Sequence, residues 1–259
     1  MPGKGNLMTN IILTGALGRM GRFITAKVTE LDSFNITAAV DIVGDDSYAY
    51  PLYGKLEDIV APDGVIVDFS NHALTTSLLD YAIAHKIPCV ISTTGHNEEE
   101  KKAIFAASEK IPVFYSYNMS IGINLITELA KKAAALLGES FDIEIVEKHH
   151  NKKLDAPSGT ALMIADGISE VLDEKPEYVF DRSSVRKERS KTEIGFSSIR
   201  GGTIVGEHDV IFAGYNEVIT LSHHAASREV FAMGAIRAAE FIADKPAGMY
   251  TMKDLIGNI

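Results

Sequence analysis

Between an apolar run at residues 11–14 and a helical pattern of Ile24, Val28 and Leu31 stands Gly15-Ala-Leu-Gly-Arg-Met-Gly21, three glycines in seven residues. Strand, tight turn and helix joined by glycines leave few folds open. Residues without a Cβ let the chain turn sharply and bring a helix N-terminus close to a strand end. Further apolar runs at 36–40, 65–69, 89–92 and 113–115 read as short strands, with helical stretches between several of them. That alternation predicts βαβ units, and hence a parallel sheet with helices on both faces.

From residue 118 the texture changes. Ile121, Leu125, Ile126, Leu129 and Leu136 predict a helix over 118–137, the passage into a second domain. Phe141, Ile143 and Ile145 alternate with Asp142 and Glu144, the pattern of a half-buried strand, and Ala161, Ile164, Ala165, Ile168 and Leu172 predict a helix over 161–172. Residues 181–214 are rich in charge, Gly and Ser, with β-like pieces at 192–198, 203–205 and 210–212, then 217–222. They predict a mixed or antiparallel sheet with mobile connections. A last helix over 230–243 carries Phe231, Ala235, Ala238, Ala239 and Ile242 on one side. The expected fold class is α/β: an N-terminal Rossmann-like doubly wound parallel sheet plus an α+β C-terminal domain.

Composition narrows the function. A net charge of -10 without a basic stripe argues against nucleic acid. No apolar stretch is long enough for a membrane span, and the N-terminus lacks the apolar core of a signal peptide, so the expected location is cytoplasmic. The opening residues 1–8 have no periodicity and read as a flexible lead-in, with the first strand beginning near Asn10. The single cysteine, Cys89, stands in an apolar run and reads as a core thiol.

Against the acidic background, Glu147-Lys-His-His-Asn-Lys-Lys-Leu-Asp-Ala-Pro-Ser-Gly-Thr160 concentrates two imidazoles and several lysines ahead of a helix start. Asp155, Ser158 and Thr160 are N-cap candidates, and Gly159 permits close approach to backbone N–H groups. Such an end attracts carboxylate or phosphate, so an anionic small molecule is the expected ligand. His149, His150, His208, His223 and His224 also raise a metal site, but no Cys-x-x-Cys or His-Glu-x-x-His spacing supports one, and no metal is expected.

At the glycine-rich turn the pattern is Gly-x-x-Gly-x-x-Gly, with Leu17 where the general dinucleotide fingerprint has glycine. Asp41 ends the second strand twenty residues after Gly21, where a carboxylate can accept hydrogen bonds from ribose hydroxyls.

The stretch Glu144-Ile-Val-Glu-Lys-His-His-Asn-Lys-Lys-Leu-Asp-Ala-Pro-Ser-Gly-Thr-Ala161 resembles the signature of the 4-hydroxy-tetrahydrodipicolinate reductases, also called dihydrodipicolinate reductases. These enzymes use Gly-x-x-Gly-x-Met-Gly, so the departure at Leu17 becomes agreement. The resemblance implies a dinucleotide-binding domain at 1–118, joined by the chain end at 230–259, and a substrate-binding and oligomerisation domain at 119–229. It implies NAD(P)H-dependent reduction of a cyclic dicarboxylate, 4-hydroxy-tetrahydrodipicolinate, to tetrahydrodipicolinate with loss of water, on the diaminopimelate route to lysine. His149 and Lys153 match the family's acid and proton-donor positions, with Lys153 the preferred proton source; His150, Gly159 and Thr160 match its carboxylate binders. Lys152 reads as solvated. Cofactor contacts fall on Gly15, Ala16, Leu17, Gly18, Arg19, Met20, Asp41, Ser92, Thr93, Thr94, Ser116, Tyr117, Asn118 and Met119. The family usually has glycine in place of Ser92. Ile42 stands where members that use NADPH well offer an arginine, so NADH is the expected preference, with NADPH possible. The segments 200–208 and 223–228 also resemble these reductases and fit the sheet through which they assemble as homotetramers. Cofactor and His-His segments fall on different domains, so closure on substrate is expected.

Two other readings predict different behaviour. Another two-domain nicotinamide dehydrogenase, for example one acting on aspartate, would lack the 149–160 constellation. A dinucleotide-binding regulator that has lost catalysis would bind NADH without turnover.

Overall fold

A computed structural model describes residues 8–42, 48–183 and 186–257 of the chain. In chain order the elements are β1 (Thr9–Thr14), α1 (Arg19–Thr29), β2 (Phe34–Val40), β3 (Leu52–Tyr53), β4 (Val65–Asp68), α2 (Thr75–His85), β5 (Cys89–Ile91), α3 (Glu98–Ser108), β6 (Pro112–Tyr115), α4 (Ile121–Leu137), β7 (Asp142–His149), α5 (Gly159–Ser169), β8 (Glu177–Val179), β9 (Glu193–Arg200), β10 (Gly206–Gly214), β11 (Glu217–Ala225), α6 (Glu229–Ile242), β12 (Gly248–Tyr250) and α7 (Met252–Ile256). They form two compact units, one of residues up to 121 with the return from 229, the other of residues 122–228. The opening stretch read as a lead-in lies, up to residue 7, outside the described residues.

The first unit is built on a seven-stranded sheet in the order β12-β6-β5-β4-β1-β2-β3, parallel at every pairing. The strands read as continuous apolar runs because both faces are covered. Ile11, Leu13, Val65, Val67, Val90 and Phe114 pack with α1 and α6 on one side. Ile12, Ile66, Cys89, Ile91 and Val113 pack with α2 and α3 on the other. Side-chain alternation thus sorts one run into two cores, as a doubly wound sheet requires. Cys89 is fully buried, and burial pushes its thiol pKa well up, which keeps it an inert core group.

In β2 the alternation slips. The register moves by one residue between Ile11↔Ile36 and Ile12↔Ala38, so Thr37 is an extra residue, its hydroxyl donating to the Asp63 carbonyl at 2.8 Å. Ile36 and Ala39 consequently share a core that strict alternation would have split between them.

The second unit holds a five-stranded sheet in the order β11-β10-β7-β9-β8. Its β7–β10 and β10–β11 pairs are antiparallel, while β7–β9 and β8–β9 are parallel, so the sheet is mixed. Ile143, Ile145, Val210 and Phe212 lie with α4 and α5 in one core. The strand expected at 203–205 does not form. Gly202 sits at φ +49, and Gly201 and Gly202 hydrogen-bond the chain at His149 and Asn151, which ends the ladder before β10 begins. The strands β3, β8 and β12 were not expected; two or three residues are too few to show a period-2 signal. Among the described residues no helix is long and apolar enough to cross a membrane.

Candidate active site

The turn after β1 is shaped by its glycines. Gly15 adopts φ +73 against the Phe69 carbonyl, and a Cβ on Gly21 would collide with the Gly15 and Ala16 carbonyls. Helix and strand therefore approach as only glycine allows. Gly18 precedes α1 as its N-cap and offers no side chain to the first-turn N–H groups, which leaves that end suited to a phosphate.

Asp41 closes over this turn. Its Oδ2 accepts the Leu17 backbone N–H at 2.8 Å and its Oδ1 the Ile42 N–H at 2.7 Å, which fixes the carboxylate beside the turn with lone pairs to spare. Gly15, Leu17, Gly18, Asp41 and the 93% exposed Ile42 line a cleft of about 570 Å³, ample for part of a dinucleotide. Of the other expected cofactor residues, Ala16 is buried under the turn, Arg19 is exposed and Met20 packs against the core.

At the neighbouring strand ends, Asp68 is fully buried and accepts from the hydroxyls of Thr14, Ser70 and Thr93, each at 2.6 Å. This buried carboxylate ties three strand ends together. Ser92 is buried with its hydroxyl unpartnered, and Thr94 is exposed. Ser116 turns the chain by accepting the Asn118 N–H, while Tyr117 is exposed and Met119 is buried in the core. Ser92 to Thr94 and Ser116 to Met119 are not part of the cleft wall.

In the second unit, β7 delivers His149 at its last position, on the face that carries Ile143, Ile145 and Glu147 inward. His149 Nδ1 lies 2.6 Å from Glu147 Oε2. Glu147 is held by both nitrogens of Arg200, at 2.6 and 2.8 Å, and by the Ser158 backbone N–H at 3.1 Å. Burial pushes the Glu147 carboxyl up, but hydrogen bonds from Arg200, Ser198 and His149 outweigh it and hold the pKa down at about 2. His208 stands edge-on to His149 with ring centroids 5.2 Å apart, its Nε2 3.0 Å from Ser158 Oγ. Burial lowers the pKa of both imidazoles, that of His208 to about 4; Glu147 opposes the shift at His149 without cancelling it. Both shifts favour the neutral imidazole.

Among the three N-cap candidates, Ser158 caps α5, its hydroxyl accepting the Ala161 N–H at 3.1 Å. Asp155 instead pairs with Lys153 at 2.8 Å, and exposed Lys152 is solvated as expected. Gly159 and Thr160 form the first turn of α5, and nothing within 4 Å would meet a Cβ on Gly159, so that end is open. His150 is half-buried with Nδ1 unpartnered. His149, His150, Lys153, Gly159 and Thr160 thus lie along one stretch of chain, from the last residue of β7 to the first turn of α5. Sequence reasoning gave no role to Arg200 or Glu147, named His208 only for a metal site that it set aside, and read Asp155 as a cap. A carboxylate on the apolar face of a strand was the available signal, since such a group demands a buried partner.

Two family models cover nearly the whole described chain: dihydrodipicolinate reductase, N-terminus, matches residues 9–119, and dihydrodipicolinate reductase, C-terminus, matches residues 122–256. The chain belongs to the dihydrodipicolinate reductase family. Relatives named 4-hydroxy-tetrahydrodipicolinate reductase are 51% identical in Caldanaerobacter subterraneus, over 96% of this chain and 99% of the relative, and 46% identical in Clostridium novyi, over 96% and 98%. The fold matches that of a dipicolinate-bound dihydrodipicolinate reductase from Paenisporosarcina sp. TG-14, with a TM-score of 0.82 at 24% identity, over 97% of this chain and 100% of that one. As a member of this reductase family the chain is an NAD(P)H-dependent oxidoreductase of lysine biosynthesis.

Proposed function

We propose that the chain reduces 4-hydroxy-tetrahydrodipicolinate to tetrahydrodipicolinate, taking up one hydride and one proton and releasing one water. The observation that carries this reading is the β7–α5 connection, where two imidazoles, a lysine and an open helix N-terminus meet in an otherwise acidic chain. Two carboxylates need two cationic or N–H-rich subsites. Gly159 and Thr160 serve one, through backbone N–H groups and the threonine hydroxyl, and His150 serves the other.

When bound, the reduced nicotinamide supplies the hydride. The first unit is the dinucleotide domain: its glycine turn fits a pyrophosphate, and Asp41 fits the ribose hydroxyls. Thr93, Thr94 and the 116–119 turn would flank the nicotinamide end, with Ser92 crowding it slightly. With no arginine at Ile42 and a carboxylate at Asp41, a 2′-phosphate would meet repulsion, offset in part by Arg19. NADH is therefore the preferred cofactor and NADPH the poorer or comparable one.

The second unit binds substrate and builds the assembly, a homotetramer in the cytoplasm. Lys153 donates the proton to the ring atom that gains electron density, with Asp155 orienting its ammonium. His149 stands beside it as the second catalytic group.

The test couples the chain to a synthase that makes the substrate in place from pyruvate and aspartate semialdehyde, and follows loss of the reduced-nicotinamide absorbance. Oxidation that needs every component establishes the activity. Tight NADH binding without oxidation would overturn it.

A further inference from the structure

Glu147 is the one carboxylate on the buried face of β7, its side chain 0% exposed, and the roles above leave it without a function. Strand pairing sets it in a row, with His208 of β10 opposite on one side and Ser198 of β9 on the other; His149 is paired with Arg200 two positions on. Residues directly opposed across a sheet share a face. Glu147 therefore sits among His149, His208 and Arg200, under the Ser158 end of α5.

Besides the hydrogen bond from Ser198, both carboxylate oxygens are engaged. Oε1 accepts from Arg200 Nη2 and from the Ser158 N–H, and Oε2 accepts from Arg200 Nη1 and faces His149 Nδ1. An ionised carboxylate only accepts, so His149 Nδ1 must carry the hydrogen. Burial of that ring, with the cations Arg200 and Lys153 near it, works against an imidazolium while Glu147 pulls the other way; His208, with His223 opposite it on β11, faces the ring as a neutral group. With Nδ1 protonated and the ring neutral, Nε2 is bare.

We propose that Glu147 is a positioning residue for the reaction: it fixes His149 as the neutral Nδ1–H tautomer, with Nε2 as a proton acceptor, and seats the substrate-binding end of α5. This rests on the function proposed above and divides its labour. His149 accepts a hydrogen bond or a proton, and delivery of the reaction's proton falls to Lys153. Because one carboxylate holds both the imidazole and the Ser158 backbone, the base and the carboxylate subsite are set in register by a single group.

The test is nitrogen-15 spectroscopy of the full-length protein labelled at histidine, with the His149 signals assigned by their absence from His149→Asn. At neutral pH the wild-type ring shows a protonated Nδ1 and a bare Nε2. Glu147→Gln replaces an acceptor-only group by an amide that can also donate, so the fixed Nδ1–H preference is lost, and kcat falls about tenfold to a hundredfold while NADH affinity changes less than about twofold. Glu147→Asp retains the Nδ1–H tautomer. A wild-type Nε2–H ring or an imidazolium overturns the proposal. So does a folded Glu147→Gln protein with an unchanged tautomer and kcat within about threefold of wild type. If Glu147→Gln does not fold, the wild-type spectrum decides. If the wild type turns over no substrate, the proposed function fails, and the tautomer still decides this inference by itself.

Discussion

The Asp41 carboxylate accepts the Leu17 backbone N–H at 2.8 Å, so the end of β2 and the glycine turn after β1 are one rigid piece. Both oxygens of the carboxylate are held, Oδ1 by the Ile42 N–H at 2.7 Å.

Cofactor choice follows from that pairing. NADH is expected to give the higher kcat/KM, and an NADPH value tenfold or more above it would refute the assignment of Asp41. Asp41→Ala should weaken NADH by roughly tenfold to a hundredfold, the worth of hydrogen bonds to a charged group, and Ile42→Arg should shift preference toward NADPH. Steady-state kinetics with both cofactors check all three.

Lys153→Ala should cut kcat by roughly two orders of magnitude or more, because no second ammonium stands in the β7–α5 connection except exposed Lys152. A loss under threefold would remove Lys153 from the mechanism.

Acid should destabilise the protein in two stages. The folded-state pKa of His208 is lowered from 6.5 to about 4, so the unfolded chain binds a proton first and stability is lost as pH falls through that window. Glu147, lowered from 4.5 to about 2, stabilises above its unfolded value, and its contribution goes as pH falls from there. Each stage is on the order of 3 kcal/mol. Urea midpoints measured across this range should fall with pH. His208→Gln should flatten the upper stage and leave the lower one; an unchanged slope near pH 5 would show that His208 does not titrate this way.

Gly234 in α6 lies against the Met119 carbonyl, where a Cβ would overlap that oxygen. Gly234→Ala should therefore cost about 1–3 kcal/mol or more, since backbone on both sides resists the shift. Thermal unfolding measures it, and a Tm within about one degree of wild type would show that the helix moves aside freely.

Periodicity made the large elements legible. The apolar runs of β1, β4, β5 and β6, the glycine turn and the helix after it could be read directly, because a parallel sheet covered on both faces writes continuous apolar strands into its sequence. The β7–α5 segment stood out too, since two histidines and several lysines before a capped helix are unusual in a chain of net charge -10.

What tertiary structure alone decided is pairing over distance. The extra residue at Thr37 flips the parity of β2, and no local pattern announces it. Arg200 reaches Glu147 from 53 positions away and Ser158 meets His208 from 50, so the network that sets charge and tautomer at His149 is absent from any window of sequence. Local spacing fixes which residues share a strand face or a helix end. Which buried charge finds which partner is fixed by sheet register, and register is set by the packing of the whole core.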